Sequence, residues 1–182
     1  MEEKQKETVE KIGSIKEHLA HTATEQLMEF VQAYESDSRA GVQKLVETAR
    51  KRFDKLQQEK IRTESLKKYE KEYDNYTYIW GIDEVGRGPF AGPVVAAAVI
   101  LPKDCDILYL NDSKKLSEKK RELLYDEIYE KAVAIGIGMS SEEVIDEINI
   151  LQATYKAMQQ AISKLSIKPD LLLNDAVTIP DV

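Results

Sequence analysis

The stretch GIDEVGRGPFAGPVVAAAVIL, Gly81 to Leu101, decides the reading of this chain. Two acids, Asp83 and Glu84, close an apolar run. Gly86-Arg87-Gly88 follows at once, and a longer apolar run begins at Pro93. Upstream, YTYIWGID (Tyr76 to Asp83) is aromatic and β-branched, which predicts a strand. Downstream, PVVAAAVILP (Pro93 to Pro102) is apolar throughout, which predicts a buried strand. The short GPFAG link makes the two antiparallel neighbours.

Further along, SEKKRELLYDEIYEKA (Ser117 to Ala132) predicts a helix capped by Ser117. AVAIGIGM (Ala132 to Met139) predicts a third strand. SSEEVIDEI (Ser140 to Ile148) and NILQATYKAMQQAISKL (Asn149 to Leu165) predict two successive helices, the first with Ser140 and Glu143 in capping-box spacing and the second stopped by Pro169. LLLND (Leu171 to Asp175) predicts a fourth strand that again runs into an acid. The order β-β-α-β-α-α-β makes residues 76–182 an α/β domain with a mixed sheet and flanking helices.

Residues 1–75 have a different texture, helical and highly charged. SIKE (Ser14 to Glu17) and TATE (Thr22 to Glu25) have capping-box spacing. Leu27, Phe30, Val31 and Tyr34 fit one helical face, and Val42, Leu45, Val46, Ala49, Phe53 and Leu56 form one stripe. This is an all-helical N-terminal extension. Its polar side carries Arg50-Lys51-Arg52, Lys55, Lys60 and Arg62, so it suits either a helical appendage or a nucleic-acid arm.

The bulk composition narrows the class. The chain has 182 residues, 42% hydrophobic and 32% charged, with a net charge of −7. No stretch is apolar for long enough to span a bilayer, and the charged start MEEKQKETVEK is no signal peptide. Cys105 is the only cysteine, which excludes a disulfide framework and a zinc cluster. His18 and His21 stand close enough for a metal pair but fit a solvated helix face better. These features predict a cytoplasmic protein. The acidic balance argues against holding nucleic acid by bulk charge. From Ser36 to Lys71, however, eleven Lys and Arg stand against six Asp and Glu, a basic strip beside an acidic body.

The acids converge on one site only if the first strand ends there and the backbone turns, because neighbouring strand residues point to opposite faces. Gly86 and Gly88 supply that freedom. Asp175 has the same context at the end of its own strand, where α/β sheets build their sites. Three carboxylates with no cysteine and no nearby histidine are hard oxygen donors suited to Mg²⁺ or Mn²⁺. The same residues also suit plain turn acids. The backbone N–H groups of a Gly-Arg-Gly turn can cradle an anion, and Arg87 can add a charge-assisted contact to phosphate.

DEVGRGPFAGPVV (Asp83 to Val95), NDSKKLS (Asn111 to Ser117), NILQAT (Asn149 to Thr154) and LLLND together resemble, in order, the ribonuclease HII family, over about Trp80 to Asp175. Arg87 between the two glycines favours HII over HIII, which has lysine there. The resemblance implies a ribonuclease H-like fold preceded by a helical extension found on some bacterial members. It implies an endonuclease acting on RNA–DNA hybrids and on DNA duplexes containing single ribonucleotides, with Mn²⁺ or Mg²⁺ as cofactor; the sequence leaves the oligomeric state open, a monomer being the default expectation. Two cations would serve the reaction, one for the attacking hydroxide and one for the leaving 3′ oxygen, leaving 5′-phosphate and 3′-hydroxyl ends. By position, Asp83, Glu84 and Asp175 are metal-binding and catalytic. Gly86, Arg87 and Gly88 read the ribose 2′-hydroxyl. Ser113, Lys114 and Asn149 belong to substrate-binding motifs, although Ser113 and Lys114 also suit a loop leading into a helix, and Asn149 a helix cap.

The resemblance also implies a fourth carboxylate, a stacking tyrosine and C-terminal helices beyond Val182. Asn174 stands where the family usually has an apolar residue, and IPDV departs from the family pattern. The expectation is therefore a C-terminally truncated chain that is inactive or nearly so. Rival readings are a non-catalytic hybrid binder, a protein-interaction module with structural acids, and a junction resolvase, which would lack the Gly-Arg-Gly ribose reader.

Overall fold

The computed structural model describes residues 10–89, 91–174, 179–180 and 182. The chain forms two compact units that meet in sequence at Arg62 and Thr63.

The first unit is helical. Helix α1 spans Ile12–His21, α2 spans Leu27–Tyr34, and α3 spans Ala40–Leu66, the last residues of which count with the second unit. Its core is Ile15 and Leu19 of α1, Leu27, Phe30 and Val31 of α2, and Val42, Val46 and Ala49 of α3. These are the apolar stripes of the sequence, each buried at helical spacing. Both histidines are exposed, as a solvated helix face predicts. His18 stands edge-on to the rings of Phe30 and Tyr34, with Nδ1 3.0 Å from the Tyr34 hydroxyl. The capping boxes do not form. Ser14 lies inside α1, whose N-cap is Lys11, and the Thr22 hydroxyl donates back to the His18 carbonyl at the helix C-terminus.

The second unit is a four-stranded sheet. Strand β1 spans Ile79–Val85, β2 Val94–Ile100, β3 Ala134–Ser140 and β4 Leu171–Asn174, in the order β3-β2-β1-β4. Strands β1–β2 and β2–β3 pair antiparallel, and β1–β4 pair parallel, so the sheet is mixed as the element order predicts. Three helices accompany it: α4, Lys68–Glu72; α5, Glu118–Lys131; and α6, Glu142–Ser163. None of the described helices is long and apolar enough to cross a membrane.

Helix α6 covers one face. Trp80 and Ile82 of β1, with Val94, Ala96, Ala98 and Ile100 of β2, pack against Ala153, Ala157, Met158 and Ala161. The alanines let the helix lie close, and glycines in β3 complete the fit. A Cβ on Gly136 would stand 1.9 Å from the Ala161 carbonyl oxygen, and one on Gly138 1.9 Å from that of Ala157. The buried Ser140 hydroxyl donates to the Ala153 carbonyl at 2.9 Å, which ties β3 to α6. Ser140 is therefore strand rather than cap, and the cap position of α6 falls to Ser141.

The other face is more open. Strand β2 is not buried throughout, since Ala97 is exposed between buried Ala96 and Ala98. In β3, Ile137 and Met139 are exposed on the same side. Ser117 caps α5 as expected, its hydroxyl oxygen accepting from the Lys120 amide at 3.4 Å. Helix α6 ends at Ser163, ahead of Pro169.

Candidate active site

Strand β1 continues through both acids. Its ladder with β2 pairs Asp83 with Ala97, Glu84 with Ala96 and Val85 with Val95, so the strand ends one residue beyond the acids. Strict alternation then separates the carboxylates. Asp83 is exposed on the open face with Gly81 and Val85, whereas Glu84 lies on the α6 side with Trp80 and Ile82. The Glu84 amide donates to Asp83 Oδ1 at 2.8 Å.

The turn begins at Gly86. Its φ of 103° is left-handed, and a Cβ there would sit 2.3 Å from the Pro93 carbonyl oxygen, so only glycine fits. The turn returns Arg87 onto the strand. Arg87 Nη1 donates to Glu84 Oε1 at 3.0 Å, and the Glu84 side chain is only 18% exposed. Gly88 is different, because a Cβ there would meet nothing within 4 Å.

Arg87 also lines a cleft of about 400 Å³. Gly86, Pro89, Ala91 and Gly92 form one wall with it, and Glu142, Ile145, Asp146 and Ile150 of α6 form the other. Sequence reasoning missed Glu142 and Asp146. Their four-residue spacing was legible, but acids in a first helical turn are ordinary. Next to them, the Ser141 side chain hydrogen-bonds the Glu143 carboxyl and holds its pKa below the usual range.

Asp83 faces a second, wider cavity of about 750 Å³, lined also by Tyr69, Tyr73, Gly81, Ile82, Leu172, Leu173 and Asn174. The β1–β4 register places Asn174 beside Ile82, one residue before Asp83. Asp175 lies outside the described residues. Among the described residues, no three His, Cys, Asp or Glu side chains are grouped as a metal site. Asp83 and Glu84 nevertheless fit a hard divalent cation. Both are hard oxygen donors of the kind such a cation takes, set on opposite faces of β1, and the Glu84 carboxylate is here compensated by Arg87.

The remaining expected residues lie apart. Ser113 and Lys114 are exposed, begin the 3₁₀ turn Ser113–Lys115, and line neither cavity. Asp112 Oδ1 accepts from the Lys114 amide at 2.9 Å, and Arg121 Nη1 donates to the Leu116 carbonyl at 2.7 Å. Asn149 interrupts α6 at φ 69° and ψ 163°, and its Oδ1 accepts from the amides of Leu151 and Gln152 at 3.0 and 3.1 Å. It caps the second half of the helix, and its neighbour Ile150 lines the Arg87 cleft.

The family model described as "Ribonuclease HII" matches residues 80–182, and "Ribonuclease HII N-terminal domain" matches residues 11–74. A ribonuclease HII of Lachnoclostridium phytofermentans is 64% identical over 82% of this chain and 59% of its own length. Another, from Enterococcus faecalis, is 49% identical over 93% of this chain and 67% of its own. The crystal structure of ribonuclease H2 from Pyrococcus horikoshii is 26% identical, with a TM-score of 0.44 over 56% of this chain and 52% of that one. The chain thus spans about three fifths of its Lachnoclostridium relative. With one family model covering more than half of its residues and the other most of the rest, the chain belongs to the ribonuclease HII family.

Proposed function

We propose that the protein is an endonuclease that hydrolyses the RNA strand of RNA–DNA hybrids and cuts at single ribonucleotides in duplex DNA, leaving 5′-phosphate and 3′-hydroxyl ends. Family membership supports this reading. One observation of the site carries it: two hard carboxylates and a glycine-fixed arginine share the end of one strand. Residues 1–75 are the helical extension in this reading, and 76–182 the catalytic domain of a monomeric, cytoplasmic protein.

Asp83 and Glu84 would hold Mn²⁺ or Mg²⁺ together with Asp175. Bound there, the cations supply positive charge that favours ionisation of water and departure of the 3′ oxygen. Gly88 has open space where a side chain would stand, which lets a ribose approach the backbone and present its 2′-hydroxyl. Arg87 supplies a donor for phosphate at the same turn. Ser113 and Lys114 meet the substrate backbone further out, and Asn149 sets the direction of the helix that forms the far wall of the cleft.

The test is a labelled DNA duplex carrying one ribonucleotide beside an all-DNA duplex, with binding and cleavage followed in Mn²⁺. The expected result is preference for the ribonucleotide duplex and incision on its 5′ side, both reduced by Asp83→Asn. Equal treatment of the two duplexes, or a response unchanged by Asp83→Asn, would overturn the proposal.

A further inference from the structure

We infer that Arg87 and the divalent cation compete for the Glu84 carboxylate, so that cation binding releases Arg87 for the substrate. The inference rests on the metal assignment proposed above and adds a coupling to it. Four observations support it.

Glu84 has a single described cationic partner, the Arg87 guanidinium, through one contact from Nη1 to Oε1 at 3.0 Å. A two-pronged arginine–carboxylate pair would be stronger and harder to displace. The side chain of Arg87 is 42% exposed, more than twice as much as that of Glu84, so the arginine is the free-moving member. The backbone beneath them is fixed, because Gly86 stands against the Pro93 carbonyl with no room for a Cβ. Arg87 also has somewhere to go. It lines the cleft whose opposite wall holds the carboxylates of Glu142 and Asp146.

A guanidinium cannot give up its proton, so it can leave a carboxylate only by moving. A divalent cation on Glu84 would bring like charge against it and drive that movement. In the metal-free chain Arg87 neutralises Glu84, and in the loaded site it faces the cleft. Because coupling is reciprocal, a substrate anion that captures Arg87 tightens cation binding in turn.

Mn²⁺ titration without nucleic acid, read by the EPR signal of free Mn²⁺, tests the idea on the wild-type chain, Arg87→Ala and Asp83→Asn. Each is measured at low and high KCl. The expected result is Kd lower by roughly 1.4- to fivefold in Arg87→Ala, the scale of a partly exposed ion pair. The gain persists at high salt, because a direct contact is screened far less than a distant charge. Wild-type binding that Arg87→Ala leaves equal or weakens would overturn the inference alone. So would a gain that disappears at high salt, which marks a long-range field. Absence of saturable binding by the wild-type chain, or binding untouched by Asp83→Asn, would overturn the metal assignment and this inference with it.

Discussion

Gly138 of β3 faces the carbonyl of Ala157 in α6 with no room for a side chain between them. A methyl at Gly138 would lie 1.9 Å from that oxygen and 2.7 Å from the Ala161 amide nitrogen. Both obstacles are helix backbone, which cannot swing aside as a flexible side chain can. Gly138→Ala must lift α6 from the sheet and loosen the packing of Ala153, Ala157 and Ala161. The expected cost is about 1–3 kcal/mol, the usual range for overpacking. Urea unfolding measures it, with Gly81→Ala as the control, since a Cβ there meets nothing within 4 Å. Equal midpoints for the two variants would contradict the close approach.

Asp37 provides a pH-dependent prediction for the helical unit. Its carboxylate accepts from the Arg39 amide at 2.9 Å and from Nε and Nη2 of the same arginine at 3.0 and 2.6 Å. The hydrogen bonds from Arg39 hold the Asp37 pKa below its ordinary value. A folded-state pKa lower than the unfolded one stabilises the protein above the ordinary carboxylate value of about 3.9, and the benefit is lost as pH falls through the folded value. Asp37→Asn should therefore lower the Tm at neutral pH, with the difference from wild type shrinking steadily below about pH 4. A difference that stays constant down to pH 2 would show that the charge is not its source.

Much of this architecture was legible because burial imposes periodicity. Leu27, Phe30 and Val31, and Val42, Val46 and Ala49, form core stripes where helical spacing puts them. The break between Ile148 and Asn149 is a real kink. The Ser117 and Asn149 caps were legible, but the capping boxes were not. A serine or threonine three residues before a glutamate is common, and only burial decides where a helix begins. Ile15 and Leu19 carry α1 past Ser14, and the bond from Ser140 to the Ala153 carbonyl claims that serine for β3. At the site, the residue types were legible but their geometry was not. Nothing local fixes where β1 stops, so the opposed faces of Asp83 and Glu84 follow from the ladder with β2. Glu142 and Asp146 come to the cleft through the tertiary packing of α6, which local spacing does not reveal.

Asn149 combines a cap with a strained backbone. At φ 69° and ψ 163° it occupies a region in which side chains are costly, by about 1–3 kcal/mol. Its Oδ1 offsets that by satisfying two helix amides. Asn149→Ala keeps the strain and loses the cap, and should destabilise by about 1–2 kcal/mol. Asn149→Gly loses the cap and relieves the strain, so it should be the more stable variant of the two. Chemical denaturation of the pair decides the point, and the reverse order would remove the case for strain.

Metal binding should also appear as stability. A cation that binds only the folded chain raises its stability by RT ln(1 + [L]/Kd), about 2.7 kcal/mol at a hundredfold excess over Kd. The Tm should therefore climb with Mn²⁺ concentration without a plateau and return on chelation. Asp83→Asn removes an exposed oxygen donor and should flatten the climb. Glu84→Gln should do the same, and it also leaves Arg87 without its described carboxylate partner. The two substitutions differ in the absence of metal. Asp83→Asn breaks no described ion pair and should leave the metal-free Tm near that of wild type, whereas Glu84→Gln gives up the contact with Arg87 and should lower it slightly. A Tm that ignores Mn²⁺ in the wild-type chain would count against carboxylate coordination at the end of β1. A climb that survives both substitutions would place the cation elsewhere in the molecule.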